Sequence, residues 1–108
     1  MAWIVETLNA TVDAEVSPLP ADMRAQLSRI SLMIEEFGLG RMREPHVKHP
    51  RGPLWEMRMR GRDGISRALY VAASGRRVVI VRVFVKQTQK TPSREIDLAM
   101  SRAKEVLP

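Results

Sequence analysis

The chain has 108 residues, a net charge of +6 and no cysteine. That length suits one domain spanning 1–108, which buries roughly 60–70% of the surface its unfolded chain exposes and needs no covalent staple. The missing cysteine excludes disulfides, thiolate metal sites and a cysteine nucleophile; with no signal-peptide pattern at the start and no apolar run near ~20 residues, the expectation is a soluble, cytoplasmic protein away from the membrane.

Trp3-Ile4-Val5 is apolar and partly β-branched, which predicts a brief buried strand at a sheet edge or centre. Leu8, Val12 and Val16 recur at helical spacing. Ser17-Pro18-Leu19-Pro20 ends that helix, because a residue before proline is pushed out of the α region. A second helix follows with Pro20 in its first turn: Met23, Leu27, Ile30, Ile34 and Phe37 make one apolar stripe, and Gly38 supplies a left-handed C-terminal cap. The short link predicts a helical hairpin covering one face of a sheet. Residues 1–40 carry two arginines against six carboxylates, so this side should repel nucleic acid.

From Leu39 to Pro53 the chain holds Gly40, Pro45, Pro50, Gly52 and Pro53, which predicts a loop with a short extended piece at His46-Val47-Lys48. His46 and His49 both fall here. No third ligand of the usual kind is near them in sequence, so no metal is assigned. They read as exposed loop residues, or as partners for a phosphate or a proton.

Leu54 to Pro92 then reads as three strands joined by tight turns at Gly61-Arg62-Asp63-Gly64 and Ser74-Gly75-Arg76. In the first strand Trp55, Met57 and Met59 share one face, and Glu56, Arg58 and Arg60 the other. In the second, Arg67 shares parity with Ile65, Leu69 and Val71, and Tyr70 with Ala68 and Ala72, which does not by itself say which side is wet. In the third, Val79, Val81, Val83 and Val85 predict a core face, leaving Arg82 and Lys86 outward. Between Leu54 and Arg94 there are ten Lys or Arg against two carboxylates, while the other 67 residues sum to −2. Like charges set across neighbouring strands destabilise a sheet unless an anion neutralises them, so the expected ligand of this sheet is RNA. Thr91-Pro92 reads as an N-cap and first-turn proline of a last helix, with Glu95 and Asp97 near its start and Ile96, Ala99, Met100, Ala103 and Leu107 as its buried stripe.

The order of short strand, helical hairpin and meander carries three runs of sequence. They are Leu54-Trp55-Glu56-Met57-Arg58, Arg67-Ala68-Leu69-Tyr70, and Phe84-Val85-Lys86 through Lys90-Thr91-Pro92 to Glu95-Ile96. Together these resemble the phage-derived branch of the HigB and RelE-like toxins, in the RelE/ParE superfamily of bacterial type II toxin–antitoxin systems, from about Trp3 to Leu107. The resemblance implies an α+β fold, a small, mostly antiparallel twisted sheet packed against an N-terminal helical hairpin and a C-terminal helix. It further implies an mRNA endoribonuclease acting on the ribosome without cofactor or metal. Its partner would be an antitoxin with a helix-turn-helix domain, through which alone it would reach operator DNA.

Carried over residue by residue, Arg67 falls at the strand arginine associated with substrate phosphate and Lys86 at the basic position ending the last strand, which makes them the catalytic candidates. Arg58, Arg60, Arg82 and Lys90 are the RNA and phosphate candidates. The chain departs from the family in two ways: Gln87 stands where a second lysine is common, and no histidine or tyrosine ends the last strand. The general acid and base are therefore open among Lys86, Lys90, Glu56 and a loop histidine. Two other classes remain, a ParE-like inhibitor of DNA gyrase and a non-toxic phage-derived binding module.

Overall fold

The computed structural model describes residues 3–39, 47–86 and 90–107, and of residues 47–50 and 86 the backbone alone. The elements in chain order are β1 (Ile4–Thr7), α1 (Ala10–Val16), α2 (Ala21–Phe37), β2 (Val47–Arg51), β3 (Leu54–Gly61), β4 (Gly64–Ala73), β5 (Arg77–Lys86) and α3 (Ser93–Ala103). The strands form one sheet in the order β1-β5-β4-β3-β2. Only β1 runs parallel to its neighbour, with Ile4 opposite Arg77 and Thr7 opposite Ile80.

Two apolar layers sandwich the sheet. On one face Val12, Leu19, Met23, Leu27, Ile30 and Ile34 of the hairpin pack on Met57, Met59, Ala68, Tyr70, Val78, Ile80 and Val83. On the other, Ala99 and Ala103 of α3 pack on Leu54, Leu69, Val71, Val79 and Val81. Small residues on α3 let its backbone approach the sheet closely. The α2 stripe is buried as its spacing predicts as far as Ile34, whereas Phe37 is 59% exposed. The helix ends there because Gly38 has φ 86° and donates to the Ile34 carbonyl. A Cβ on Gly38 would also lie 3.1 Å from Trp3 Nε1, a tight contact that the indole would have to give way to. Asn9 caps α1, its side-chain oxygen accepting from the Val12 amide at 3.1 Å.

The structure departs from the sequence reading in the strands and caps at several points. First, the short extended piece expected at His46-Val47-Lys48 within the Leu39–Pro53 loop is a longer strand, β2 (Val47–Arg51), which pairs Val47 with Met57 and Arg51 with Leu54. Its register shifts between Lys48 and Arg51; Pro50 lacks an N–H and is tolerated on such an irregular edge strand. His46 lies outside the described residues, as does the side chain of His49.

Second, the four valines of β5 do not share a face. Leu69 pairs with Arg82 but Tyr70 pairs with Ile80, so Val81 is an extra residue, a β-bulge. Val79 and Val81 therefore turn toward α3, Val83 turns toward the hairpin, and Val85 is 46% exposed. Third, Pro92 rather than Thr91 caps α3. The Thr91 hydroxyl donates to Glu56 instead.

Where a strand lacks a neighbour, side chains take its backbone groups. The Val5 amide donates to Glu35 at 2.9 Å. The Arg60 amide donates to Gln26 Oε1 at 2.9 Å while the Gln26 side-chain amide donates to the Arg60 carbonyl. Beyond the end of β1, the Val83 amide donates to Glu15 at 3.0 Å and Arg102 donates to the Val81 carbonyl at 2.9 Å.

The hairpin-side core holds two hydroxyls, of Ser66 and Tyr70, that are buried with no hydrogen-bond partner among the described residues. Burial pushes the Tyr70 phenol well above its ordinary pKa. A buried hydroxyl without a partner carries its full desolvation penalty, so Tyr70→Phe is expected to raise stability by about 1 kcal/mol. Urea unfolding checks this; a lower midpoint would mean that the hydroxyl is satisfied.

Candidate nucleic-acid interface

On the α3 face the register stacks three rows across β3, β4 and β5: Glu56–Leu69–Arg82, Arg58–Arg67–Phe84 and Arg60–Ile65–Lys86. The first row lies beside the start of α3, since Thr91, just before that helix, bonds Glu56. Arg58, Arg67 and Arg60 of the next two rows thus lie beyond the N-terminal start of the helix. Arg60 and Lys90 are exposed there, and the backbone of Lys86 stands opposite Ile65.

The middle row is the unusual one, because it sets Arg58 directly opposite Arg67. Both side chains are largely withdrawn from water, Arg58 to 14% exposure and Arg67 to 0%. Two guanidinium groups so placed need an anion. Glu56 supplies it from within the sheet: its Oε2 lies 2.8 Å from Arg58 Nε and 3.6 Å from Arg67 Nε, and its Oε1 accepts from Thr91. Burial pulls the Arg67 pKa below the usual arginine value; Glu56 opposes that shift, and the charges of Arg58 and Arg60 add to it.

Arg82 does not face outward as its parity predicts. Its Nη1 lies 2.8 Å from Glu15 of α1 and its Nε 2.7 Å from Glu95 of α3, with the guanidinium 5.7 Å above the Phe84 ring. Arg102 adds a second contact to Glu15 at 2.9 Å. These bonds, to Glu95 first, raise the Arg82 pKa. Arg82 therefore links α1 and α3 around the open side of β5, and it is already neutralised.

The basic face is thus better supplied with carboxylates than the sequence reading allows. Glu56 appeared there only as a candidate for proton transfer, Glu95 as a complement to the helix dipole, and Thr91 as a cap. Glu56 could have been found from its parity with Arg58 and Arg60, which puts acid and base on one face two residues apart. Glu15 could not, because nothing in α1 signals that it reaches β5.

Elsewhere, a cleft of about 590 Å³ lies between β1, α1 and α2, with Leu27 and Leu32 in its walls and Glu6, Asp13 and Glu35 around it. Its carboxylates make it unsuited to a polyanion. Among the described residues no three side chains of metal-ligating type come together, and no helix is long and apolar enough to cross a membrane.

Comparison with known proteins agrees with this architecture. The family model described as phage-derived protein Gp49-like matches residues 14–104. Among solved structures, the chain is similar to an E. coli RelE toxin variant in the free state, in which two arginines are replaced by alanine. The TM-score is 0.62 at 17% identity, covering 97% of each chain. No curated protein matches. The sheet flanked by a helical hairpin and a C-terminal helix is shared with that toxin over nearly all of both chains, and the family match extends from α1 through α3. The chain belongs to the phage-derived Gp49-like family.

Proposed function

We propose that this protein is the toxin of a type II toxin–antitoxin system and that it cleaves messenger RNA on the ribosome, in the cytoplasm, without a metal. The observation that supports this reading is the Arg58–Arg67 pair, held by a buried carboxylate, with Arg60 and the backbone of Lys86 in the next row. In the cleavage the substrate's 2′-hydroxyl loses its proton and attacks the adjacent phosphorus, and the P–O5′ bond breaks. The products are a 2′,3′-cyclic phosphate and a 5′-hydroxyl that takes up a proton. Arginine forks suit the extra negative charge of the intervening phosphorane, because they bind phosphate oxygens bidentately and keep their own charge. Proton transfer by a neighbouring lysine contributes about 10²–10⁴ in rate, so the orientation supplied by the arginines and the ribosome carries much of the barrier.

In this reading Arg67 and Lys86 act on the scissile phosphate, and Arg58, Arg60 and Lys90 hold flanking phosphates. Arg82 serves the site indirectly by tying α3 to the sheet. The Arg67 side chain has no exposed surface, so a phosphate reaches it only when a covering group moves aside. The antitoxin, a helix-turn-helix protein that also supplies operator binding, is expected to lay an acidic segment over these rows.

Two measurements test the reading. RNA binding should weaken steeply with salt, with a slope of log affinity against log salt steeper than about −2, given about −0.7 per phosphate on a single strand. A flat response would remove the basic rows from the interface. Induced expression in bacteria, with protein and DNA synthesis followed separately, should show early arrest of translation. Early arrest of replication would instead identify a gyrase inhibitor.

A further inference from the structure

Glu56 makes contacts that its place in a strand does not require. It is 1% exposed in the middle of β3, yet its carboxylate reaches Arg58 on its own strand, Arg67 on β4 and the Thr91 hydroxyl before α3. Its Oε2 accepts from Arg58 Nε at 2.8 Å and lies 3.6 Å from Arg67 Nε, close enough for charge attraction, while Oε1 takes the hydroxyl. One side chain thus contacts both arginines and also ties them to Thr91, just before the first turn of α3.

We propose that Glu56 is a positioning residue, which holds the guanidinium groups of Arg58 and Arg67 in place for the phosphates they meet and weakens ground-state phosphate binding as it does so. The kinetic part of this proposal rests on the ribonuclease reading above. Two opposed consequences follow from one charge. Removing it raises the positive potential at the arginines, so an anion binds more tightly. Removing it also frees both guanidinium groups to rotate, and reactions that depend on placed groups slow when placement is lost. A residue needed only for folding would not separate these effects, since loss of structure weakens binding and turnover together.

The test uses the full chain with Glu56→Gln, and nuclear magnetic resonance of the arginine Nε–Hε groups, assigned with Arg58→Lys and Arg67→Lys. The wild-type protein should show both signals in slow exchange with water, and folded Glu56→Gln should lose both. In cleavage of a reporter message on ribosomes, Glu56→Gln should lower kcat at least tenfold and lower KM as well. If Glu56→Gln does not fold, Glu56→Asp, which is one methylene shorter, should weaken the same signals and lower kcat in the same sense. Signals that persist in the folded variant overturn the proposal, as does a kcat within twofold of wild type or a KM that rises with the loss of kcat. If the wild-type protein cleaves no message, the ribonuclease reading fails by itself. The role of Glu56 is then decided by the Nε–Hε signals and by titration with pyrophosphate: tighter binding to Glu56→Gln supports it, and unchanged binding overturns it.

Discussion

Arg67→Ala is expected to abolish growth arrest and to reduce message cleavage by about 10²–10³, the usual loss when one preorganised donor to a transition-state charge is removed. The stability change should be smaller than the activity change. Stripping a buried charge of its partner costs roughly 3–5 kcal/mol, but Glu56 keeps Arg58 and Thr91 when Arg67 is gone. Circular dichroism should therefore show a folded variant at 25 °C. Arg67→Lys should rescue poorly, because an ammonium cannot reproduce the fork and burial drives a lysine to give up its proton. Lys86→Ala should share the phenotype of Arg67→Ala, and Arg76→Ala, at an exposed turn, controls for simple loss of positive charge. Mapping reporter cleavage by primer extension reads all four. Normal cleavage by Arg67→Ala, or its loss only together with the fold, would take Arg67 out of the site.

The second large effect is on stability. Glu15→Ala is expected to lower unfolding free energy by about 2–4 kcal/mol, because hydrogen bonds to charged groups are worth roughly 1.5–3 kcal/mol each and this carboxylate holds several. It bonds Arg82, Arg102 and the Val83 amide at 14% side-chain exposure, so solvent screening reduces these contacts only in part. Its loss removes a link between α1 and α3 at the side of β5 where β1 has ended. A urea midpoint that does not move would show that the network adds nothing to the fold. The folded fraction should still bind RNA, since Glu15 contributes nothing to the rows that meet phosphate.

Much of the architecture could be read from spacing alone. The hairpin followed from the Met23-to-Ile34 stripe and the prolines at its start, and the meander from alternation and turn residues; the Trp55, Met57 and Met59 face was placed correctly. What stayed hidden depended on contacts distant in sequence. A bulge leaves no mark in a run of alternating valines, yet one unmatched residue at Val81 turns every later side chain of β5 to the opposite face. β2 was legible only as a short extended piece at His46-Val47-Lys48, because Pro50 sits in it and it is held by its pairing with β3. At the candidate site the basic residues were legible because arginine is conspicuous, whereas their carboxylate partners were not. Glu15, Glu56 and Glu95 each have an ordinary local explanation, and only the fold brings them against Arg58, Arg67, Arg82 and Arg102.

The side chains that occupy vacant backbone groups along the sheet have a consequence for how this chain behaves in a crowded cell. An uncovered strand edge is a template on which another chain can add a strand, and such pairing begins many aggregates. Here Glu35, Gln26 and Glu15 stand on the hydrogen-bonding groups that an incoming strand would need, each from a helix of the same chain. Strand addition at these places must first displace a helix side chain from its bond. Substitutions at these three positions would thus be felt as lost solubility before any change at Arg58 and Arg67, which Glu56 contacts.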